Sequence, residues 1–187
     1  MLEASFEGVN ERTKRRLIAL PRYDNGWVLT IDMIPKCNWG ENLHHYLSQE
    51  IWDSVRREVY QEFGYKCAAC GITEVPFHCH EVWQFNDKKC IQKLVGFLCL
   101  CPDCHNIKHW GRTVAVTHRG HYPMSYLDDL ARHFCTVNNC LEEDFLLHKV
   151  DAGDKWQKRS KKRYILDWGK FSPERIEEEW RKLQKKR

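Results

Sequence analysis

The sequence predicts an α+β domain in which a metal-stapled strand–loop–strand–helix unit is flanked by helices. Three observations predict it. CAAC at 67–70 and CPDC at 101–104 form two matched CxxC pairs thirty residues apart. Between them lie two β-compatible runs, Phe77–Val82 and Leu94–Leu100, separated by the polar stretch WQFNDKKCIQK, which reads as a loop. Directly after the second run Pro102 suits the first turn of a helix through Cys104, His105 and His109 to about Trp110, with Gly111 as its stop.

Upstream, Trp27, Leu29, Ile31 and Met33 alternate with Val28, Thr30 and Asp32, which suggests a strand ended by Pro35. Ser48 can cap a helix that puts Ile51, Val55, Val59 and Phe63 on one stripe, with Gly64 as its stop. Downstream, Ser125 with Asp128 and Asn139 with Glu142 have the spacing of capping boxes, which predicts helices over 126–136 and 140–159. Ser172 followed by Pro173 opens a last helix, and KWQKRSKKR reads as a hinge before the final segment. The expected organisation is a strand and loop segment over 1–47, a zinc-binding core over 48–112, a helical segment over 113–160 and a basic segment over 161–187.

A chain of 187 residues with 42% hydrophobic content is long enough to bury a core. No run approaches eighteen apolar residues, which argues against a membrane span, and the opening MLEASFEGVNERTKRR lacks the pattern of a secretory signal. A cytoplasmic protein is therefore expected, and in a reducing compartment ten cysteines read as thiolate ligands before disulfides. Cys37, Cys79, Cys90, Cys99, Cys135 and Cys140, outside the CxxC pairs, read as small buried hydrophobes. The net charge of +4 is uneven: residues 155–187 hold thirteen Lys or Arg against five Asp or Glu, a net of +8. Such a segment suits a polyanion through salt-sensitive contacts, or else is a solvated helical face.

Two-residue spacing lets both thiolates of a CxxC pair grip one ion. Cys67, Cys70, Cys101 and Cys104 thus form a closed set of four soft sulfurs that suits a structural Zn2+ ion ahead of an iron–sulfur cluster or a redox dithiol. His105 and His109, four positions apart on a helix, share a face with metal-ligand geometry and leave coordination open. A third participant is sought in FHCHEVW, where His78 and His80 fall on one strand face and Cys79 and Glu81 on the other. His44, His45, His118, His121, His133 and His148 read as surface or hydrogen-bonded structural residues.

CAAC, HCHEVW and LCPDCHNIKH together resemble the HNH endonucleases, whose ββα-metal core is stapled by zinc. More closely, WDSVRREVYQEFGYKCAACG, CHEVWQFND and IQKLVGFLCLCPDCHNIKHWG look like a group of bacterial and phage HNH proteins, the likeness being strongest over 50–112. The resemblance implies metal-dependent hydrolysis of phosphodiester bonds in DNA, with a second divalent cation (Mg2+, Mn2+, Ni2+ or Zn2+) beside the structural zinc. His105 and His109 match the helical ligand positions, and His80 matches the first histidine of the family motif. Where the family pairs His-His or Asp-His, this chain has Cys79, His80 and Glu81. If His80 is the base, Cys79 or Glu81 is the missing ligand; if His80 is the ligand, Glu81 is the base. His80 is preferred as base, because an unperturbed glutamate with pKa near ~4.3 accepts a proton weakly at neutral pH. Spacing puts Gly96 where the family has its central asparagine, and Asn86 is the nearby substitute. The alternative function is a zinc-stabilised nucleic-acid-binding module without catalysis.

Overall fold

The computed structural model describes residues 26–185. It is an α+β arrangement with a three-stranded sheet in the order β1-β2-β3. Helix α1 (Gln49–Glu62) forms as its stripe requires: the Ser48 hydroxyl accepts from the Ile51 amide at 3.4 Å, and Ile51, Val55 and Val59 are buried. Gly64 ends it at φ 59°, a left-handed turn that favours glycine.

Strands β1 (His78–Asn86) and β2 (Ile91–Leu100) pair antiparallel from His78 opposite Leu100 to Asn86 opposite Ile91. Both run further than the apolar pattern foretold. The polar stretch between them is mostly ladder, because backbone pairing continues wherever one face can stay wet. A bulge between Val82 and Trp83 absorbs Val95. β3 (Ile165–Asp167), absent from the sequence reading, pairs parallel with β2, so the basic C-terminal segment joins the central sheet.

Helix α2 (Pro102–Lys108) is shorter than expected and α3 (Trp110–His118) follows at once, the break falling on His109 at φ −94°, ψ 36°. Gly111 is not a stop: it lies inside α3, where a Cβ would meet Met33 Cε at 3.0 Å, so the glycine permits close packing. The Thr113 hydroxyl donates to the Asn106 carbonyl at 2.8 Å and ties the two helices together.

Helices α4 (Ser125–Asn138) and α5 (Glu142–Ser160) lie near their expected places, but their caps differ. The Ser125 box does not form. Asn139 takes a left-handed conformation at the end of α4, and the Leu141 amide donates to Asp144 at 2.9 Å in place of an Asn139–Glu142 box. KWQKRS is the last part of α5, and only Lys161, Lys162 and Arg163 of the stretch read as a hinge lie outside a helix. Helix α6 (Pro173–Gln184) starts as predicted, the Ser172 hydroxyl accepting from the Arg175 amide. Much of the basic charge here is paired: Arg175 with Glu179, Arg181 with Glu177 and Lys182 with Glu178 on α6, and Arg159 with Asp87 across the fold.

Residues 27–34, which alternate like a strand, carry no regular secondary structure, bend at Val28 and join no sheet. Side chains replace the missing partner strand. Asn138 Oδ1 accepts from the amides of Val28 and Leu29, both at 3.1 Å, Asn138 Nδ2 donates to the Leu29 carbonyl at 2.8 Å, and the Ile31 amide donates to His148 Nε2 at 2.9 Å. Asn138→Ala strips this segment of three hydrogen bonds and is expected to cost about 2 kcal/mol, read as a lower urea midpoint at unchanged slope.

All ten cysteines are free thiols. Cys99 is buried as expected, whereas Cys37 is exposed, and Cys79, Cys90, Cys135 and Cys140 are only partly covered. Cys37 serves as an acceptor instead, its sulfur 3.3 Å from the Tyr164 amide. Among the described residues no helix is long and apolar enough to cross a membrane.

Candidate metal centre

The first CxxC pair sits on a knuckle shaped by backbone bonds. The Cys67 amide donates to the Ile72 carbonyl at 3.0 Å, the Gly71 amide to the Cys67 carbonyl at 2.9 Å, and the Ala68 amide docks on the Cys99 carbonyl of β2 at 2.7 Å. Gly71, at φ 76°, lets the chain curl back. The second pair opens α2, with Cys101 at the N-cap, its sulfur 3.5 Å from the Cys104 amide. The knuckle and the helix start face each other, so the sulfurs of Cys67, Cys70, Cys101 and Cys104 all lie within 4.8 Å of one another. Four such donors can hold a metal, and their soft chemistry fits zinc.

The crowded thiols share protons. Hydrogen bonds from Cys101 and Cys104 bring Cys67 down to about 6, while bonds to Cys101, Cys67 and Cys70, together with burial, push Cys104 up. His133 on α4 stands behind the cluster with its Nε2 3.2 Å from the Cys104 sulfur. The contact gives His133 the hydrogen-bonded role expected of it, with donor and acceptor set by the ring tautomer. Tyr126, also on α4, donates to Asp103 at 2.7 Å and accepts from Asn106 at 2.9 Å, so α4 clamps both ends of α2.

A second group lies on the other side of α2. The ligand atoms of His80, His105 and His109 all fall within 4.8 Å of one another, with His80 Nδ1 3.2 Å from His109 Nε2. His80 comes from β1, and the other two from successive turns at the α2–α3 break. Burial, and then the neighbouring imidazole of His80, brings His109 down to about 3; burial also lowers His105 and His80. All three rings are therefore neutral at pH 7, the form that offers a lone pair to a cation.

Asp32 reaches this group from the irregular segment 27–34. Its Oδ2 stands 3.6 Å from His80 Nε2 and 3.0 Å from Lys108 Nζ. Lys108 is only 1% exposed and also donates to the Thr30 hydroxyl at 3.0 Å. Burial works against the Asp32 charge, yet Lys108 and His80 hold its carboxyl well below the usual range. A carboxylate beside the far nitrogen of a ligating imidazole favours one ring orientation, the arrangement found behind many metal-bound histidines. Neither Asp32 nor Lys108 was singled out from sequence. Asp32 lies 48 positions before His80 in a segment with no motif, and its place on the polar side of the 27–34 alternation was the only signal.

The histidines open onto a cavity of about 780 Å3. His78, on the same strand face as His80, sits at its rim with its ring stacked on His105, centroids 4.5 Å apart. Glu81 also lines it, accepting from the Leu43 amide at 2.6 Å, and burial pushes its carboxyl up to about 7. Asn86 is elsewhere. It ends β1 six residues beyond His80, roughly 20 Å along an extended strand. There its side chain accepts from the Lys89 amide at 3.0 Å and steadies the hairpin turn, because the ladder runs on past the predicted loop. The geometry thus gathers Cys67, Cys70, Cys101 and Cys104 in one group and His80, His105 and His109 in another, and leaves Asn86 outside both.

The chain matches no protein-family model, no curated protein and no solved structure.

Proposed function

We propose that this protein is a metal-dependent HNH-type endonuclease that hydrolyses phosphodiester bonds in DNA. The sulfur group holds a structural Zn2+, and His80, His105 and His109 hold a second divalent cation. The observation that carries the reading is the meeting of three neutral imidazoles, from a hairpin strand and a helix break, beside the sulfur group and at a wide cavity. Three protein ligands leave positions open for substrate, whereas four sulfurs leave none.

A cation held there would supply Lewis-acid stabilisation of the negative charge that builds on the phosphate. His80 is a ligand in this reading rather than the base preferred from sequence, since its Nδ1 faces His109 within the cluster. Glu81 then accepts the proton of the attacking water. The objection that glutamate is too acidic loses force, because burial raises this carboxyl to about 7. Asp32 steadies the His80 ring, and Lys108 in turn keeps Asp32 charged.

Supercoiled plasmid incubated with the purified chain and Mg2+, Mn2+ or Ni2+ is expected to be nicked, and Glu81→Gln to slow nicking by about a hundredfold or more. Asp32→Asn, which keeps an oxygen for Lys108, is expected to lower the initial rate about ten- to a hundredfold while zinc content is unchanged. The second reading, a nucleic-acid-binding module without catalysis, is favoured by the Leu43 amide that already occupies a Glu81 oxygen. Plasmid bound but never nicked with any of these cations selects it.

A further inference from the structure

The cavity walls carry a feature that phosphate chemistry does not use. Trp39 lines the cavity and leaves 67% of its surface in solvent. It follows a 3-10 turn, Lys36–Asn38, that is anchored rather than loose: Asn38 is buried and its Nδ2 donates to Gln92 Oε1 of β2 at 3.1 Å. The indole is thus a large flat apolar surface held in the open by a fixed support. Tyr122, 38% exposed, and Arg112 on α3 line the same cavity as the histidine cluster. His80 itself is only 4% exposed, so a phosphate must enter the recess to reach it.

We propose that this cavity takes an unpaired nucleotide, its base stacked on Trp39 and its phosphate led inward past Arg112, so that the substrate class of the site is single-stranded DNA. The inference rests on the reading of the site as a DNA phosphodiesterase. Every base has a π-face that an aromatic ring can cover without regard to sequence. In a duplex those faces are covered by neighbouring bases and must first be unstacked, whereas a single strand offers them free and bends into a recess. An exposed planar ring on a rigid turn suits that partner because little ordering is needed before contact. Arg112 adds a planar cation that can pair with a phosphate oxygen or lie on a base.

The test uses the full chain with its zinc and no added divalent cation, so that binding is read without cleavage. A single-stranded oligonucleotide carrying 2-aminopurine, and the same strand annealed to its complement, are titrated and fluorescence quenching is followed. The single strand is expected to be quenched and to bind at least about tenfold tighter than the duplex. Trp39→Ala is expected to weaken single-strand binding about tenfold, and Trp39→Phe to restore most of it. Equal or tighter duplex binding, no binding of either, or full affinity in Trp39→Ala overturns the inference. Adding Mg2+ or Mn2+ afterwards separates the two readings. Single-strand binding without cleavage leaves this inference standing and removes the nuclease, and cleavage confined to duplex does the reverse.

Discussion

If the four sulfurs hold the zinc proposed for them, replacing Cys104 by serine is expected to release it and to unfold the unit formed by β1, β2 and α2. Cys104 is fully buried between the knuckle and α4, and its sulfur meets His133 Nε2 at 3.2 Å. With one of four soft ligands gone, three crowded thiols remain in a space shaped for an ion. Structural zinc supplies roughly 10–16 kcal/mol of apparent binding free energy at neutral pH, comparable to the whole stability of an ordinary domain, about 5–15 kcal/mol. The loss should appear as less than one zinc per chain by elemental analysis and as a thermal transition that is lowered sharply or absent. Cys37→Ser, at an exposed thiol outside the group, is the control and should leave both readings at wild type. A Cys104→Ser protein with full zinc and an unchanged melt would show that the four sulfurs hold nothing.

The second large effect is confined to the chemistry. His105→Ala removes one of three imidazoles from the histidine group while leaving every sulfur in place. Two rings cannot fix a cation as three do, so nicking should fall by about a hundredfold or more, close to the level without added metal. Zinc content should stay at one per chain and the melting temperature near wild type, because His105 is only partly buried. Nicking that survives in His105→Ala at wild-type rate would place the reacting phosphate away from this group. Loss of zinc together with nicking would instead show that the two groups are not separable. The two variants therefore separate scaffold from chemistry on one short helix, where Cys104 and His105 are neighbours facing different ways.

What was legible in the chain was mostly short-range. Ser48 and Ser172 cap their helices as read, because a hydroxyl three residues before a helical amide needs no tertiary help. The capping box expected at Asn139 and Glu142 does not form: Asn139 takes the left-handed turn that ends α4, and a single bond from the Leu141 amide to Asp144 opens α5. Trp27–Ile34 alternates like a strand but forms none, and its backbone groups bond instead to the side chains of Asn138 and His148 and to the Lys108 carbonyl, all far along the chain. Gly111 illustrates the same limit. As a stop signal it failed, because it takes no left-handed turn and lies inside α3, beside Met33.

Local spacing alone places one CxxC pair, Cys101 and Cys104, and a histidine pair four residues apart on one short helix region, since helical geometry fixes the directions of residues that close in the chain. Only the tertiary structure decided that His80 turns its Nδ1 toward His109, that Asp32 and the buried Lys108 stand behind it, and that Asn86 lies outside the group. Those positions depend on how the irregular segment 27–34, a hairpin and a broken helix pack against one another. Packing is set by the whole core at once, and local spacing carries no record of it.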